Sequence, residues 1–428
     1  MTPGVNEVKV LWYVNIVMPE AAGALGLPVT NTGGWLDGLV KSLAGMDVQL
    51  VVTAVSHLVK EKRVSIVNDV QYIVLPVTAE IVPVFERLVA ETAPDIVHVH
   101  GTEYKYNTDI IEYCCAKGIR CVVSVQGLME ECAKHYCDGL PEKLKKVNPV
   151  VQLMKKVYTA DSIALEQRAF YEQGIREHRA LQTVKNVIGR THWDKACVTA
   201  NNPGARYFHV NENLRSVFYE GEGWSVDACE EHSIFMSQAS YPIKGLHQVL
   251  PALAVLAQRY PDVKLYIGGA APYTLGNRLL DTFVDYFFEY QGYIKKLIRK
   301  YDLQDRIVYT GLLSASQMKK RFLASHVFLS ASTIENSPNS VGEAMLLGVP
   351  VVASDVGGTA TMLEEGVDGW LYNFYDTDTL VSLVSRIFDD RDHAEKLSAN
   401  ARKHAAQTHD RTVNADRMKK VYQTLLEE

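Results

Sequence analysis

The sequence lacks any apolar run of the roughly 20 residues that a membrane-spanning helix needs. The apolar stretch from Val8 to Met18 is shorter, has no cleavage site and leads into a glycine-rich loop. It is therefore typical of a first β-strand and not of a secretory signal. Tandem repeats and low-complexity segments are also missing. These absences favour a soluble globular chain and exclude repeat architectures.

An excess of positive charge is missing as well. The 428 residues carry 44 Lys and Arg against 50 Asp and Glu, a net charge of -6 at pH 7. This balance argues against a nucleic-acid partner that is bound by charge alone. The seven cysteines are odd in number, which indicates a reducing cytosol and not a disulfide framework. We therefore predict a cytoplasmic protein, at most peripheral on the inner face of the plasma membrane.

Strand-like apolar runs alternate with helical stretches along the chain, a pattern that predicts an α/β fold with parallel sheets covered by helices. At 428 residues the chain has room for two domains. Strands are predicted at 8–15, 48–55, 73–77, 96–100 and 121–125, then at 233–236, 263–268, 306–309, 327–329 and 349–353. Helices are predicted at 36–44, 81–91, 108–117, 245–260, 286–301, 314–324 and 379–388.

The most informative segment follows the strand at 327–329. Turn formers and a proline at 336–340 predict a loop, and a helix then follows that Asn339 or Ser340 can cap and Gly348 can end. Free N–H groups at such a helix start suit phosphate or hydroxyl groups.

Two glutamates stand eight positions apart in this segment. Glu335 lies at the carboxyl end of the strand, where open α/β sheets bind ligands. Glu343 is placed in the first helical turn, where its carboxylate can accept hydrogen bonds from a diol such as a ribose.

The strand, loop and helix, with the frame Pro-Asn-Ser…Glu-Ala-Met…Gly-Val-Pro-Val-Val-Ala, resemble the Glu-x7-Glu motif of retaining nucleotide-sugar-dependent glycosyltransferases of the GT-B fold, most closely family 4. The resemblance covers nearly the whole chain. It implies two Rossmann-like domains facing across a cleft: an acceptor-side domain at 1–215 and a nucleotide-sugar-binding domain at 216–408. A C-terminal helix at 409–428 is expected to cross back to the first domain. Glu335 would lie by the transferred sugar and Glu343 would bind the ribose.

Glycines and a lysine supply the remaining donor-binding candidates. Gly33 and Gly34, in the loop Asn31–Trp35, let backbone N–H groups approach a diphosphate closely. Lys244 matches a family lysine that serves the diphosphate, whereas Gln238 stands where relatives carry an arginine. The resemblance further implies donor contacts from Leu312, Asn336, Ser337, Ser340 and Val341.

Three acceptor-side candidates lie in the first half. His98 and His100 share one face of a strand, and His100 ends that strand. Gln126 ends the next strand, where relatives often have a histidine near the anomeric carbon. Arg190 either reaches the cleft, where it could supply the charge that Gln238 lacks, or forms a structural pair with Asp194.

Two Asp-x-Asp patterns, Asp376–Asp378 and Asp390–Asp392, could hold a divalent metal. Asp378 is expected to cap a helix and neither pattern follows a strand near the donor, so we assign no metal. The stretch Lys143–Lys156 is basic and partly amphipathic. It is either a peripheral membrane contact near a lipid-linked acceptor or a solvated helix face.

These observations predict a metal-independent, retaining, hexosyltransferase-type enzyme with no cofactor. It would move a sugar from a nucleotide diphosphate sugar of UDP or GDP type to a hydroxyl of a glycan or lipid-linked glycan, in bacterial surface polysaccharide synthesis. Lys244 and Glu335 are the expected catalytic residues. A GT-B sugar-nucleotide epimerase, and a catalytically decayed nucleotide- or carbohydrate-binding protein, are the alternatives; Gln238 and Gln126 favour the second of these.

Overall fold

The structure, a computed structural model, describes residues 7–29, 33–155 and 162–428. It confirms the α/β prediction, with one sheet of eight strands and one of six. The chain divides into two compact units. Residues 1–130, 173–216 and 407–428 form the first unit, and residues 131–172 and 217–406 form the second.

The segment 131–172 differs from the sequence-based division, which assigned it to the first domain. Its hydrogen bonds give the physical reason for its place in the second unit. The carbonyl of Asp138 lies 2.8 Å from Nε2 of His247, and the backbone N–H of Ile163 donates to Glu289 at 3.0 Å.

The first sheet has the order β3-β4-β2-β1-β5-β6-β7-β8 and the second has the order β11-β10-β9-β12-β13-β14. Neighbouring strands are parallel except β3 and β4. The strands are β1 Val8–Val14, β2 Val48–Ser56, β3 Arg63–Val67, β4 Val70–Pro76, β5 Ile96–His100, β6 Cys121–Ser124, β7 Asn186–Gly189, β8 Arg206–His209, β9 Glu230–Met236, β10 Lys264–Ile267, β11 Ile307–Tyr309, β12 Ser325–Ser330, β13 Val351–Ser354 and β14 Trp370–Tyr372.

Helices cover both sheets, because parallel strands need long crossover connections, which are usually helical. They are α1 Pro19–Ala24, α2 Gly34–Leu43, α3 Val82–Thr92, α4 Lys105–Lys117, α5 Met129–His135, α6 Pro149–Lys155, α7 Ile163–Thr183, α8 His192–Asn201, α9 Leu246–Arg259, α10 Arg278–Phe287, α11 Glu289–Lys300, α12 Ala315–Leu323, α13 Asn339–Leu347, α14 Thr359–Met362, α15 Thr377–Asp389, α16 Arg391–Thr408 and α17 Arg411–Leu426.

The last helix, α17, completes the core of the first unit, as expected for a C-terminal helix that returns to the first domain. Its Tyr422 is fully buried against the sheet. The Tyr422 hydroxyl accepts a hydrogen bond from Trp12 Nε1 at 2.8 Å and lies 2.8 Å from Nδ1 of His98. Burying an aromatic side chain is favourable only when its polar tip is paired, and here the hydroxyl has two partners.

In the second unit β9 and β12 are neighbours, so the loops that follow them meet at the same edge of the sheet. Gly245 makes this meeting possible. Its φ is +69°, and a Cβ built on it would lie 1.8 Å from the carbonyl oxygen of Ala331. Only glycine fits so close to a neighbouring backbone. The close approach brings Lys244, the preceding residue, beside the loop that follows β12.

Candidate functional site

The second unit brings Lys244 and Glu335 into direct contact, although 91 residues separate them. The Lys244 ammonium pairs with Oε1 of Glu335, and the Ser332 hydroxyl donates to the same oxygen at 2.7 Å. Burial disfavours the charged form of Lys244, but the attraction of Glu335 outweighs it and raises the lysine pKa. Both side chains keep some exposure, 19% and 16%, so a cation and a carboxylate are presented together at the sheet edge.

Helix α13 begins beside this pair. Its N-cap is Pro338, whose side chain has no group that could accept a hydrogen bond from the first turn. The prediction that Asn339 or Ser340 caps the helix is therefore wrong, because the helix already begins at Asn339. An uncapped start leaves backbone donors for an anionic or hydroxyl-bearing ligand. Gly348 ends the helix with φ +79°, as predicted.

Glu343 lies further into α13 than predicted, at the fifth helical residue and not in the first turn. Its side chain is only 3% exposed, and Asn336 in the preceding loop is 6% exposed. Val341 is fully buried, so the structure gives it a packing role in addition to any backbone contact. A carboxylate is rarely this buried unless it is paired, so Glu343 is held in a polar environment within the second unit.

The other donor-side candidates lie nearer the surface. Ser337 is half-buried, with its hydroxyl 3.7 Å from Met362 Sδ, and Ser340 is also half-buried. Gln238 follows β9 and is exposed. Leu312 follows β11 and is 88% exposed. An apolar side chain this exposed contributes little to the core, which is compatible with a backbone role at that position.

Sequence reasoning missed two members of this site. Ser332 donates a hydrogen bond to Glu335, which follows it by three residues. This side chain could have been found from the sequence, because serine often forms such local hydrogen bonds. Tyr241 places its ring 5.8 Å from the Lys244 ammonium, and burial together with Glu335 raises its pKa, against the lowering effect of Lys244. No motif marked Tyr241, since only the fold of the loop after β9 brings it there.

The first unit contains a small cavity at the carboxyl edge of its own sheet. All three acceptor-side candidates, His100, Gln126 and Arg190, line it, together with Trp35 and Glu212. His100 is stacked on His98 with ring centroids 3.8 Å apart. Burial, with a smaller contribution from Arg190, lowers the pKa of His100 to about 3. Its Nε2 has no partner among the described residues, so a neutral imidazole nitrogen remains for a polar group in the cavity.

Arg190 is held inside the first unit and is 7% exposed. Its guanidinium pairs with Glu212 at 2.5 Å and donates to the carbonyls of Val125 and Gln126 at 3.1 and 3.2 Å. Asp194 accepts instead from the backbone N–H of Arg190, at 2.8 Å, and completes a capping box with Thr191, the N-cap of α8. The expected Arg190–Asp194 contact is thus a backbone contact, and the charge of Arg190 is balanced by Glu212.

Gly33 and Gly34 begin α2, with Gly33 at φ +84° as its N-cap. Left-handed backbone at a helix start is a position where glycine costs little. Asn31 and Thr32 of the same motif lie outside the described residues, as does Lys156 at the end of the basic stretch. Lys143 and Lys146 of that stretch are exposed.

The Asp-x-Asp patterns have structural roles. Asp376, and not Asp378, caps α15 by accepting from the Thr379 N–H at 2.9 Å, because the helix begins at Thr377, two residues earlier than expected. Asp390 accepts from the N–H of His393 at 3.0 Å, and Asp392 lies in the first turn of α16. Across the described ranges, no group of three or more His, Cys, Asp or Glu side chains could hold a metal ion.

No helix in the described parts of the chain is long and apolar enough to cross a bilayer. The seven cysteines all lie within those parts, and none of them forms a disulfide.

Comparisons with known proteins agree with this geometry. Residues 228–404 match the model of the family described as glycosyl transferases group 1. The putative glycosyltransferase YtcC of Bacillus subtilis (strain 168) is 28% identical over 187 residues, 43% of each chain. The chain spans about half the length of the curated relatives it matches.

Two solved structures are similar over nearly the whole chain. Sucrose-phosphate synthase from Thermosynechococcus elongatus is 15% identical with a TM-score of 0.72, covering 98% of this chain and 99% of that one. Anabaena Alr3699/HepE in complex with UDP and glucose is 14% identical with a TM-score of 0.65, covering 97% and 99%. Likeness at this identity shows the fold, which is the predicted GT-B fold.

Proposed function

Because residues 228–404 carry a glycosyl transferases group 1 domain, we propose that this chain transfers a sugar from a nucleotide diphosphate sugar to an acceptor hydroxyl with retention of anomeric configuration. The observation that carries the proposal is the contact between Lys244 and Glu335 beside the uncapped start of α13. A cation, a carboxylate and free N–H groups are the three kinds of group that a sugar diphosphate requires.

The positions of these groups support a different role for each of them in donor binding. Lys244 and the first N–H groups of α13 would hold the diphosphate and stabilise the charge that develops as the bond to the anomeric carbon breaks. Glu335 and the loop amides of Asn336 and Ser337 would bind the hydroxyls of the sugar. Glu343 would bind the ribose. The acceptor hydroxyl would attack the anomeric carbon and pass its proton to the departing phosphate oxygen, as the resemblance to family 4 implies.

The ion pair also gives both charged groups a partner before the sugar donor binds. Lys244 and Glu335 neutralise one another at the sheet edge. A diphosphate would give Lys244 a second anion, and the sugar hydroxyls would replace Lys244 as donors to Glu335. The binding of the donor therefore exchanges partners without leaving either charge unpaired, an outcome that would otherwise be costly.

The acceptor is proposed to be a glycan or lipid-linked glycan of bacterial surface polysaccharide synthesis. The phrases Gly189–Asp194 and Asn211–Arg215, which resemble those of polysaccharide-building members of family 4, support this choice. His100, Gln126 and the cavity they line are the proposed acceptor-side groups. Gly33 and Gly34 as donor contacts remain a prediction.

The experiment is a screen of UDP- and GDP-sugars, with binding measured by calorimetry and turnover by nucleotide release. Glu343→Ala should weaken donor binding by about 1–3 kcal/mol, as expected for the loss of charge-assisted hydrogen bonds. Glu365→Ala, at an exposed glutamate of the same unit, is the control and should leave affinity unchanged.

Unchanged affinity in Glu343→Ala, with the fold intact, would contradict the ribose role. Donor binding without any nucleotide release would favour the binding-protein alternative, and release of a free sugar or epimer without an acceptor would favour an epimerase.

A further inference from the structure

The second unit exposes apolar side chains on two neighbouring helices. On α6, Val150 and Leu153 are three residues apart, a spacing that places them on one helical face, and they are 51% and 64% exposed. Val151 between them is fully buried. On α10, Phe283 and Tyr286 are also three residues apart and are 64% and 47% exposed. We call these four residues the α6–α10 surface.

The two helices are neighbours, and a hydrogen bond joins the start of α6 to α10. Asn148, at the start of α6, donates through Nδ2 to the Tyr286 hydroxyl at 2.8 Å. On α10, the Phe283 and Phe287 rings lie 4.9 Å apart, and the Tyr286 and Phe287 rings lie 5.4 Å apart. Single exposed apolar residues are ordinary, whereas a contiguous group that includes aromatic rings marks a binding surface.

The lysines near this surface are partly exposed, whereas the aspartates near it are paired. Lys143 and Lys146, just before α6, are exposed, whereas Lys145 pairs with Glu142 at 2.8 Å. The acidic groups of α10 are occupied within the unit. Asp285 pairs with Lys295 at 2.7 Å, and Asp281 accepts from the Leu275 N–H at 2.6 Å and from the Thr274 hydroxyl at 2.8 Å. Positive charge therefore flanks the apolar residues, and the nearby negative charge is already paired.

We propose that the α6–α10 surface docks on an anionic lipid bilayer, with Val150, Leu153, Phe283 and Tyr286 entering the interface and Lys143 and Lys146 facing the lipid headgroups. Aromatic and aliphatic side chains next to lysines are the composition of interfacial membrane surfaces. Lysine is depleted from protein–protein interfaces, so a protein partner fits this composition less well. The docking deepens the proposed function by placing the chain where a lipid-linked acceptor lies, but its test needs no transferase activity.

The test is co-sedimentation of the full chain with vesicles of phosphatidylglycerol and phosphatidylcholine in equal amounts, compared with vesicles of phosphatidylcholine alone. The chain is expected to bind the anionic vesicles, and added salt should weaken binding because the lysine contribution is screened. Phe283→Ser with Tyr286→Ser should lower the vesicle partition coefficient about tenfold or more, since both side chains are removed from the interface.

Two further variants make the test specific. Lys143→Glu with Lys146→Glu should weaken binding to anionic vesicles only. Val255→Ser, at a 46% exposed apolar residue of α9, is the matched control and should bind as the parent chain does. Circular dichroism of each variant checks that the fold is retained.

Several outcomes would overturn the proposal. The chain could stay in solution with both kinds of vesicle. Vesicle binding could survive the α10 substitutions, or Val255→Ser could lose as much binding as those substitutions do. A dimer in light scattering that the α10 substitutions dissociate, without vesicle binding, would show instead that the surface joins two copies of the chain. None of these measurements uses a sugar donor. Failure of the membrane-docking proposal therefore leaves the proposed transferase activity standing, and failure of the transferase proposal leaves the docking proposal standing.

Discussion

A cation follows the carboxyl edge of each sheet, and the two cations have different partners. Arg190 in the first unit is 7% exposed and is neutralised by Glu212, with two main-chain carbonyls accepting its other hydrogens. Lys244 in the second unit is more exposed and pairs with Glu335 next to a helix start without a side-chain cap. Equivalent positions in two parallel sheets therefore do not imply equivalent roles. The partners of each cation indicate that Arg190 is structural and Lys244 is available to a ligand.

Removal of Arg190 should have the largest effect, and that effect should be on the free energy of unfolding. Arg190→Ala leaves Glu212 without its cation, and disrupting such a pair costs about 3–5 kcal/mol. Urea unfolding measures the change. Arg179→Ala removes an exposed arginine that pairs with Glu112 and should cost under about 1 kcal/mol. Full stability in Arg190→Ala together with a severe loss of activity would show that Arg190 supplies the charge missing at Gln238.

Removing Lys244 should act on catalysis instead. If Lys244 is the main cation for the leaving diphosphate, Lys244→Ala should lower kcat by about 10²–10³, while thermal unfolding shows a retained fold. Gln238→Arg should keep or raise activity, since the resemblance to family 4 implies a cation at this position. Near-normal turnover in Lys244→Ala would reverse the assignment of the two cations.

A buried carboxyl group in the first unit should make the stability of that unit depend on pH. Burial, with Glu103 adding to it, raises the pKa of Glu177 in the first unit to about 8. The folded chain then holds a proton that the unfolded chain has lost above its ordinary pKa near 4.5. Stability is thus lost as pH rises between these values, by up to about 1.4 kcal/mol per pH unit. Glu177→Gln should flatten this dependence in urea unfolding at several pH values, and Glu86→Gln, at an exposed site, should not.

The smallest expected effect is that of metal removal. The donor-side groups are a lysine, a glutamate and backbone amides, and one aspartate of each Asp-x-Asp pattern, Asp376 and Asp390, accepts a hydrogen bond at a helix start. Activity should survive EDTA. A loss that Mn²⁺ or Mg²⁺ restores would show that a cation other than Lys244 serves the diphosphate.

The sequence predicted the fold well where strands are buried and β-branched, as in β1, β2 and β12. It missed β7, β8 and β14, which have only three or four residues, and the antiparallel edge strand β3, where Ile66 is 71% exposed. Periodicity is weak in such short or exposed strands. Helix starts were misplaced by one or two residues at Pro338 and by two at Asp376, because several adjacent residues there can cap.

The candidate site was predictable to the extent that strand ends determine it. Lys244 and Glu335 meet because β9 and β12 are neighbours, a relation that the rule for open α/β sheets anticipates. The Arg190–Glu212 pair was not anticipated. Glu212 lies in an irregular stretch after β8, and no sequence pattern relates such a residue to the end of β7.

The bond between Trp12 and Tyr422 joins residues 410 positions apart. Trp12 is therefore translated 410 positions ahead of its partner. The first unit therefore cannot complete its core until α17 has been made, while the second unit, whose last residue is 406, has all of its residues earlier. Domains usually fold in the order in which they are made. In this chain all residues of the second unit are made before those of the first are complete, and the indole N–H of Trp12 gains its Tyr422 partner only once α17 has been made.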